Sequence, residues 1–225
     1  QTCALPIYGS SALFPQMQQN CTFGPLRNDN KEISGIYITV QDVTDFVIYE
    51  HKLIQMAKVD GLTGVFNRRY LDTRLQEELE RCRRYGNPLS IMMLDVDHFK
   101  KINDTHGHLC GDYALRKIAE LLQELVRTSD ILGRYGGEEF FCILPETPHE
   151  QALVLAERCR EQVAVSQLSC TDHLTSVTVS IGVTGIHRDD TLDSMIKRAD
   201  DALYQAKQTG RNRVCSSPSP AKNAT

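Results

Sequence analysis

Asp95, Glu138 and Glu139 are the side chains whose type and setting could do chemistry first. Asp95 closes a short apolar run, Leu89-Ser90-Ile91-Met92-Met93-Leu94, which reads as a buried strand bounded by turn residues. Ligands of α/β sheets gather at such carboxyl ends. Glu138 and Glu139 follow a paired glycine, Gly136-Gly137, between two β-type runs, Asp130–Leu132 and Phe141–Leu144. That is the pattern of a tight hairpin. Glycine lacks Cβ and lets a bulky ligand approach the backbone, and carboxylates beside that space suit a hard cation such as Mg²⁺. Taken alone, the stretch reads equally as an ordinary hairpin with a solvated acidic tip, and Asp95 as a cap on the next helix. If the two strands are neighbours, the carboxylates of Asp95 and Glu138 converge. A pair of this kind can hold one or two metal ions that activate an attacking oxygen and stabilise a leaving one.

The elements that must position these residues follow from periodicity. Residues 1–30 are rich in turn formers, Glu32–Val40 alternates like a strand, and Asp42-Val43-Thr44-Asp45 reads as a helix start capped by Thr44 or Asp45. Phe46, Tyr49, Leu53 and Met56 keep a three-four-three spacing, a short coiled-coil seam or a helix packed on its own domain. Asp60-Gly61-Leu62-Thr63-Gly64 breaks that helix. Asn67 is expected to cap a long amphipathic helix ended by Gly86-Asn87-Pro88. Further helices are expected from Asp112, from Thr147-Pro148 (with Thr147 as cap) and over Leu192–Ala206, with residues 166–174 as loop. Strands are expected over Ser176–Val183 and Arg213–Cys215. Alternating strands and helices around one hairpin predict an α+β fold, a central, mostly antiparallel five-stranded sheet flanked by helices.

Composition narrows the class. The 225 residues are 41% hydrophobic and 24% charged, as in an ordinary globular protein, and the net charge of −4 argues against nucleic acid as a partner. No apolar run approaches the ~20 residues of a membrane span, so no direct membrane insertion is expected. No secretory leader pattern opens the chain. The eight cysteines are dispersed with no C-x-x-C pair, which argues against zinc and for free thiols in a reducing cytoplasm.

The ordered motifs of residues 60–214 resemble the GGDEF family of diguanylate cyclases. They are Asp60-Gly61-Leu62-Thr63-Gly64, Asp95-Val96-Asp97-His98-Phe99-Lys100-Lys101-Ile102-Asn103-Asp104, Gly107-His108, Gly111-Asp112, Gly136-Gly137-Glu138-Glu139-Phe140 (the GGEEF form) and Lys207-Gln208-Thr209-Gly210-Arg211-Asn212. The resemblance implies a fold related to the palm of nucleotidyl cyclases and polymerases. It also implies condensation of two GTP into cyclic di-GMP and two pyrophosphates by a homodimer, with Mg²⁺ or Mn²⁺, two ions per active site.

Carried over by position, Asp95, the Val96 carbonyl and Glu138 hold metal. Glu138 is also the family's proposed base, although a metal-bound carboxylate is a poor one. Glu139 supports the site or ligates a second ion, and Lys100 offsets charge on the α-phosphate. Phe99, Asn103, His108 and Asp112 belong to the GTP site, Asn103 and Asp112 reading the guanine edge. Lys207 and Arg211, four apart on one helix face, grip the terminal phosphates. Arg127 and Asp130 match the family's RxxD inhibitory site, with Arg158 as a further contact. An alternative within the family is a catalytically inactive domain that senses GTP or cyclic di-GMP, although no catalytic position is missing. A strand ending in Asp42-Val43-Thr44 before a helix resembles the last part of a PAS sensor domain, so the expected layout is a PAS-like sensory fragment over 1–44, a connecting helix over 45–59, a GGDEF domain over 60–215 and a disordered tail over 216–225.

Overall fold

The computed structural model describes residues 3–4, 19–49, 58–170 and 173–217. The chain divides into two units, residues 1–57 and 58–225.

In the N-terminal unit, β1 (Cys3–Ala4), β2 (Gln19–Arg27) and β3 (Ile33–Asp42) form one antiparallel sheet. The expected strand over 32–40 is present, and β2 is a strand where only turn-rich sequence was evident. A helical turn follows from residue 44. At its start Asp42 Oδ1 accepts the Thr44 N–H at 2.9 Å. Of the predicted seam, Phe46 and Tyr49 are exposed, while Leu53 and Met56 lie outside the described residues.

The C-terminal unit is built on a six-stranded sheet whose strands lie in the order Val214–Ser216, Val179–Gly185, Leu89–Val96, Glu139–Pro145, Ile131–Arg134, Phe66–Asn67. In chain order it contains β4 (Phe66–Asn67), α1 (Arg68–Tyr85), β5 (Leu89–Val96), α2 (Phe99–His106), α3 (His108–Leu125), β6 (Ile131–Arg134), β7 (Glu139–Pro145) and α4 (His149–Val165). There follow β8 (Gln167–Cys170), β9 (His173–Ser176), β10 (Val179–Gly185), α5 (Leu192–Gln208) and β11 (Val214–Ser216). The α+β class is as expected, with six strands in place of five. The four central strands pair antiparallel, and the short edge strands β4 and β11 pair parallel.

Period-two alternation divides the core between the two sheet faces. Met92, Leu94 and Val96 of β5 and Phe140, Cys142 and Leu144 of β7 face α3 and α4. Ile91, Met93, Phe141 and Ile143 face α1 and α5. Both faces of β5 are covered, which is why its sequence is a continuous apolar run. Gly182 of β10 lets α5 lie directly on the sheet. A Cβ there would stand 2.2 Å from the Ala199 carbonyl oxygen.

Helix ends agree with local chemistry in most places. Asn67 caps α1 by accepting the Tyr70 N–H at 3.0 Å, and Gly86 ends it in the left-handed region. Thr191 and Ser194 form a reciprocal capping box on α5. Three expectations are corrected. The helix expected from Asp112 begins a turn earlier, at His108, because Gly107 takes a positive φ and starts it without a polar cap. Thr147 does not cap α4. Its hydroxyl bonds the Pro145 carbonyl, and Pro148 is the N-cap. Within residues 166–174, expected as loop, β8 and the start of β9 pair antiparallel.

The cysteines are also corrected. Cys110 and Cys170 form a disulfide. Their 60-residue separation leaves no spacing signature, and the fold alone brings their Cα atoms to 5.7 Å. Cys142 and Cys159 are buried thiols, and burial pushes Cys159 up to about 12.

Candidate active site at the end of β5

The acidic residues meet where β5 and β7 end together. Asp95 stands directly opposite Glu139 in the ladder, and the Val96 N–H donates to the Glu138 carbonyl at 3.3 Å. Glu139, not Glu138, is thus the cross-strand partner of Asp95, and Glu138 lies one residue before the strand, beside Val96. From the last turn of α5, Lys207 brings its Nζ to 2.8 Å from Asp95 Oδ2. Arg211, expected four residues on along the same helix face, lies instead past the end of α5, in a turn with a φ of 59°. Burial pushes the Asp95 carboxyl up to about 6. The charges of Glu138 and Glu139 add to that, against the hydrogen bond and charge of Lys207.

The hairpin between β6 and β7 is wider than a two-residue turn. Tyr135 and Gly136 donate their N–H groups to the Glu139 carbonyl, and neither Gly136 nor Gly137 takes a positive φ. The glycines provide room instead of unusual torsions. A Cβ on Gly136 would meet Glu139 Oε2 at 2.4 Å, and one on Gly137 would meet open space. Arg134 fixes the turn. Its Nε and Nη2 donate to the Gly137 carbonyl at 3.0 and 2.6 Å, and its Nη1 reaches Asp60 at 3.1 Å. Burial opposes the charge on Asp60, yet hydrogen bonds from Thr63 and the pairing with Arg134 hold its carboxyl below its ordinary range.

On the other side of the strand end, α2 starts at His98, which has a left-handed backbone and gives no side-chain cap. Its first-turn amides are therefore uncapped by any side chain. Phe99 is only 9% exposed and belongs to the core, so its contribution to a ligand is limited to the backbone. Lys100 is exposed on the same turn. Asn103 projects from α2 toward α3, where a Cβ on Gly111 would fall 1.9 Å from its Oδ1. That oxygen is buried with no hydrogen-bond partner among the described residues, as expected of an acceptor aimed at a ligand. Asp112 is half-buried one residue beyond Gly111, and His108 is exposed at the helix start. The sequence missed Asp97, a buried carboxylate just past Asp95.

Among the described residues, no three His, Cys, Asp or Glu side chains form a closed metal cage. The donor set nevertheless fits a hard divalent cation of the Mg²⁺ type, which takes one or two carboxylates and fills its shell with phosphate oxygens and water.

Arg127 and Asp130 lie away from this centre. Asp130 accepts the Arg127 N–H at 2.8 Å, closing a turn. The turn borders a groove of about 780 Å³ that also contains Arg74, Arg81, Glu78 and Glu146. Arg158 is not in its lining; its guanidinium donates to the Leu125 carbonyl at 2.7 Å.

These residues sit in an α+β domain whose sheet end gathers Asp95, Glu138 and Glu139 beside Lys207, with the buried, unpaired Asn103 oxygen between α2 and α3. The sequence profile of the diguanylate cyclase GGDEF domain matches residues 57–213. The chain is 44% identical over 168 residues to the response regulator PleD of Caulobacter vibrioides, covering 73% of this chain and 37% of that protein. It is 38% identical over 179 residues to the probable diguanylate cyclase DgcC of Escherichia coli, covering 79% of this chain and 48% of that protein. The coiled coil and GGDEF domain of DgcB from Caulobacter crescentus, solved in complex with c-di-GMP, superposes with a TM-score of 0.75 at 30% identity. That match covers 77% of this chain and 93% of that one. The chain belongs to the GGDEF diguanylate cyclase family, and it spans less than half the length of these two curated relatives. Among the described residues no helix is long and apolar enough to cross a membrane.

Proposed function

We propose that this domain condenses two GTP into cyclic di-GMP and two pyrophosphates, each subunit of a homodimer presenting one GTP. The observation that carries the reading is the strand end itself, with Asp95 opposite Glu139, Val96 tied to Glu138, and Lys207 against Asp95. Asp95, the Val96 carbonyl and Glu138 would hold Mg²⁺ or Mn²⁺, with Glu139 serving a second ion. When bound, the metal neutralises the triphosphate and aligns the attacking and leaving oxygens.

The remaining roles belong to the chain. Asn103 and Asp112 select guanine: Asp112 accepts its N1 and N2 hydrogens, and the unpaired Asn103 oxygen supplies a further acceptor. His108 borders the base or ribose, and the backbone at Phe99 approaches the phosphates. Lys100 offsets charge growing on the α-phosphate. Lys207 and Arg211 grip the terminal phosphates, so Lys207 exchanges Asp95 for nucleotide as the site fills. Glu138 orients the metal more readily than it takes a proton. A reaction that consumes GTP is read as a cytoplasmic one.

Cyclic di-GMP would also bind as inhibitor in the groove bordered by Arg127 and Asp130, where guanidinium groups suit phosphates and guanine edges. Arg158 would have to leave the Leu125 carbonyl to join it. Residues 1–44 are read as the end of a PAS-like sensor and residues 45–59 as the helix that passes its signal on.

The test is Glu138→Gln, a nearly isosteric change. It should abolish turnover of GTP while the melting curve stays that of a folded domain. Retained turnover would refute the assignment of Glu138.

A further inference from the structure

We propose that Asp97 is a positioning residue for the triphosphate, acting through the turn that carries Arg211. The proposal rests on the GTP reading above. Asp97 is 4% exposed. Its carboxylate accepts the Thr178 hydroxyl at 2.7 Å, the Ser180 hydroxyl at 2.7 Å and the backbone N–H of Asn212 at 3.0 Å. Its own N–H donates to the Thr178 carbonyl at 2.9 Å. One buried side chain therefore joins the loop after β5, the strand β10 and the turn after α5.

The turn needs such a partner. Arg211 and Asn212 are consecutive non-glycine residues with φ of 59° and 44°, a conformation that costs free energy and persists only where the surroundings fix it. Three outside contacts do so. Asp97 takes the Asn212 N–H, Arg160 donates to Asn212 Oδ1 at 3.0 Å, and the Ile181 N–H bonds the Arg213 carbonyl at 2.9 Å. Asp97 alone among these lies two residues from Asp95. It sets the distance between the strand end that would hold metal and the arginine that would hold the far phosphates. A triphosphate must span both at once, so a turn held in advance removes an ordering cost from GTP binding. The base contacts at Asn103 and Asp112 do not involve this link.

Binding of 3′-deoxy-GTP and 3′-deoxy-GMP in the presence of Mg²⁺ separates triphosphate from base recognition, since neither analogue offers an attacking 3′-hydroxyl. Asp97→Asn should weaken 3′-deoxy-GTP about tenfold, the scale of one lost hydrogen bond to a buried charge, and leave 3′-deoxy-GMP unchanged. Thr178→Val removes a different bond to the same carboxylate; it should lower the melting temperature without altering the ratio of the two affinities. Wild-type chain that shows no preference for the triphosphate would overturn the GTP reading and this proposal together. An intact preference in a folded Asp97→Asn, or an equal loss in Thr178→Val, would overturn the positioning role alone. On the unaltered chain, the Asn212 amide hydrogen should exchange slowly without nucleotide; exchange at the rate of an open loop would also overturn it.

Discussion

Lys207 Nζ lies 2.8 Å from Asp95 Oδ2, so the last turn of α5 supplies a cation to the residue read as a metal ligand. The ammonium and a metal ion compete for one carboxylate. Lys207→Met should therefore weaken the nucleotide more than the metal, because the variant loses a phosphate partner and also a competitor of the cation. Titration of Mn²⁺ without nucleotide, followed by 3′-deoxy-GTP, separates the two effects. Equal weakening of both would count against the exchange.

The Asp95 carboxyl, raised by burial to about 6, gives a pH dependence with a definite sign. The folded chain binds this proton more tightly than the unfolded one, so folding stability is lost as pH rises from about 4 towards 6. Above pH 6 the ionised group costs up to about 3 kcal/mol. Asp95→Asn should raise the melting temperature of the metal-free domain at pH 8 and abolish metal binding. In the wild type, Mn²⁺ affinity should fall about tenfold per unit below pH 6 as protons compete for the ligand. A flat profile between pH 5 and 7 would contradict the raised value.

Gly111 has to stay small for Asn103 to reach its place, since a Cβ would stand 1.9 Å from Asn103 Oδ1. Gly111→Ala should displace that amide and cut the preference for GTP over ATP about tenfold or more, as a lost base contact does. Competition binding measures it. An unchanged preference would remove Asn103 from base reading.

Arg134 bonds both the Gly137 carbonyl and Asp60. Arg134→Ala should cost about 1–3 kcal/mol in urea unfolding, together with turnover, because the turn bearing Glu138 loses its anchor. Full activity in a destabilised variant would show that the turn holds its own shape.

The Cys110–Cys170 bridge closes a 60-residue loop, for which chain entropy gives about 4 kcal/mol at most. Dithiothreitol should lower the melting temperature of the wild type and leave Cys110→Ser unaffected. Identical melts of the wild type with and without reductant would contradict the bridge.

The site was legible where one local signal sufficed. Asp95 stood out as a carboxylate closing an apolar run, and Asn67 and Gly86 marked the ends of α1 by their own backbone chemistry. Other features depend on relations that no local pattern encodes. The turn joining β6 to β7 decides whether Glu138 or Glu139 faces Asp95, and a paired glycine does not specify its width. β4 has two residues, too short for any periodicity. The partners of Asp97 come from residues 178–212, so nothing near it in the chain announces its role. Cys110 and Cys170 pair across the same kind of distance.

Incubation of the purified, dimeric chain with GTP and Mg²⁺, with products separated by chromatography, bears most directly on the central claim. The account predicts cyclic di-GMP and pyrophosphate in a one-to-two ratio, none of it from Glu138→Gln. A demonstrably dimeric wild-type sample that leaves GTP unchanged would contradict it.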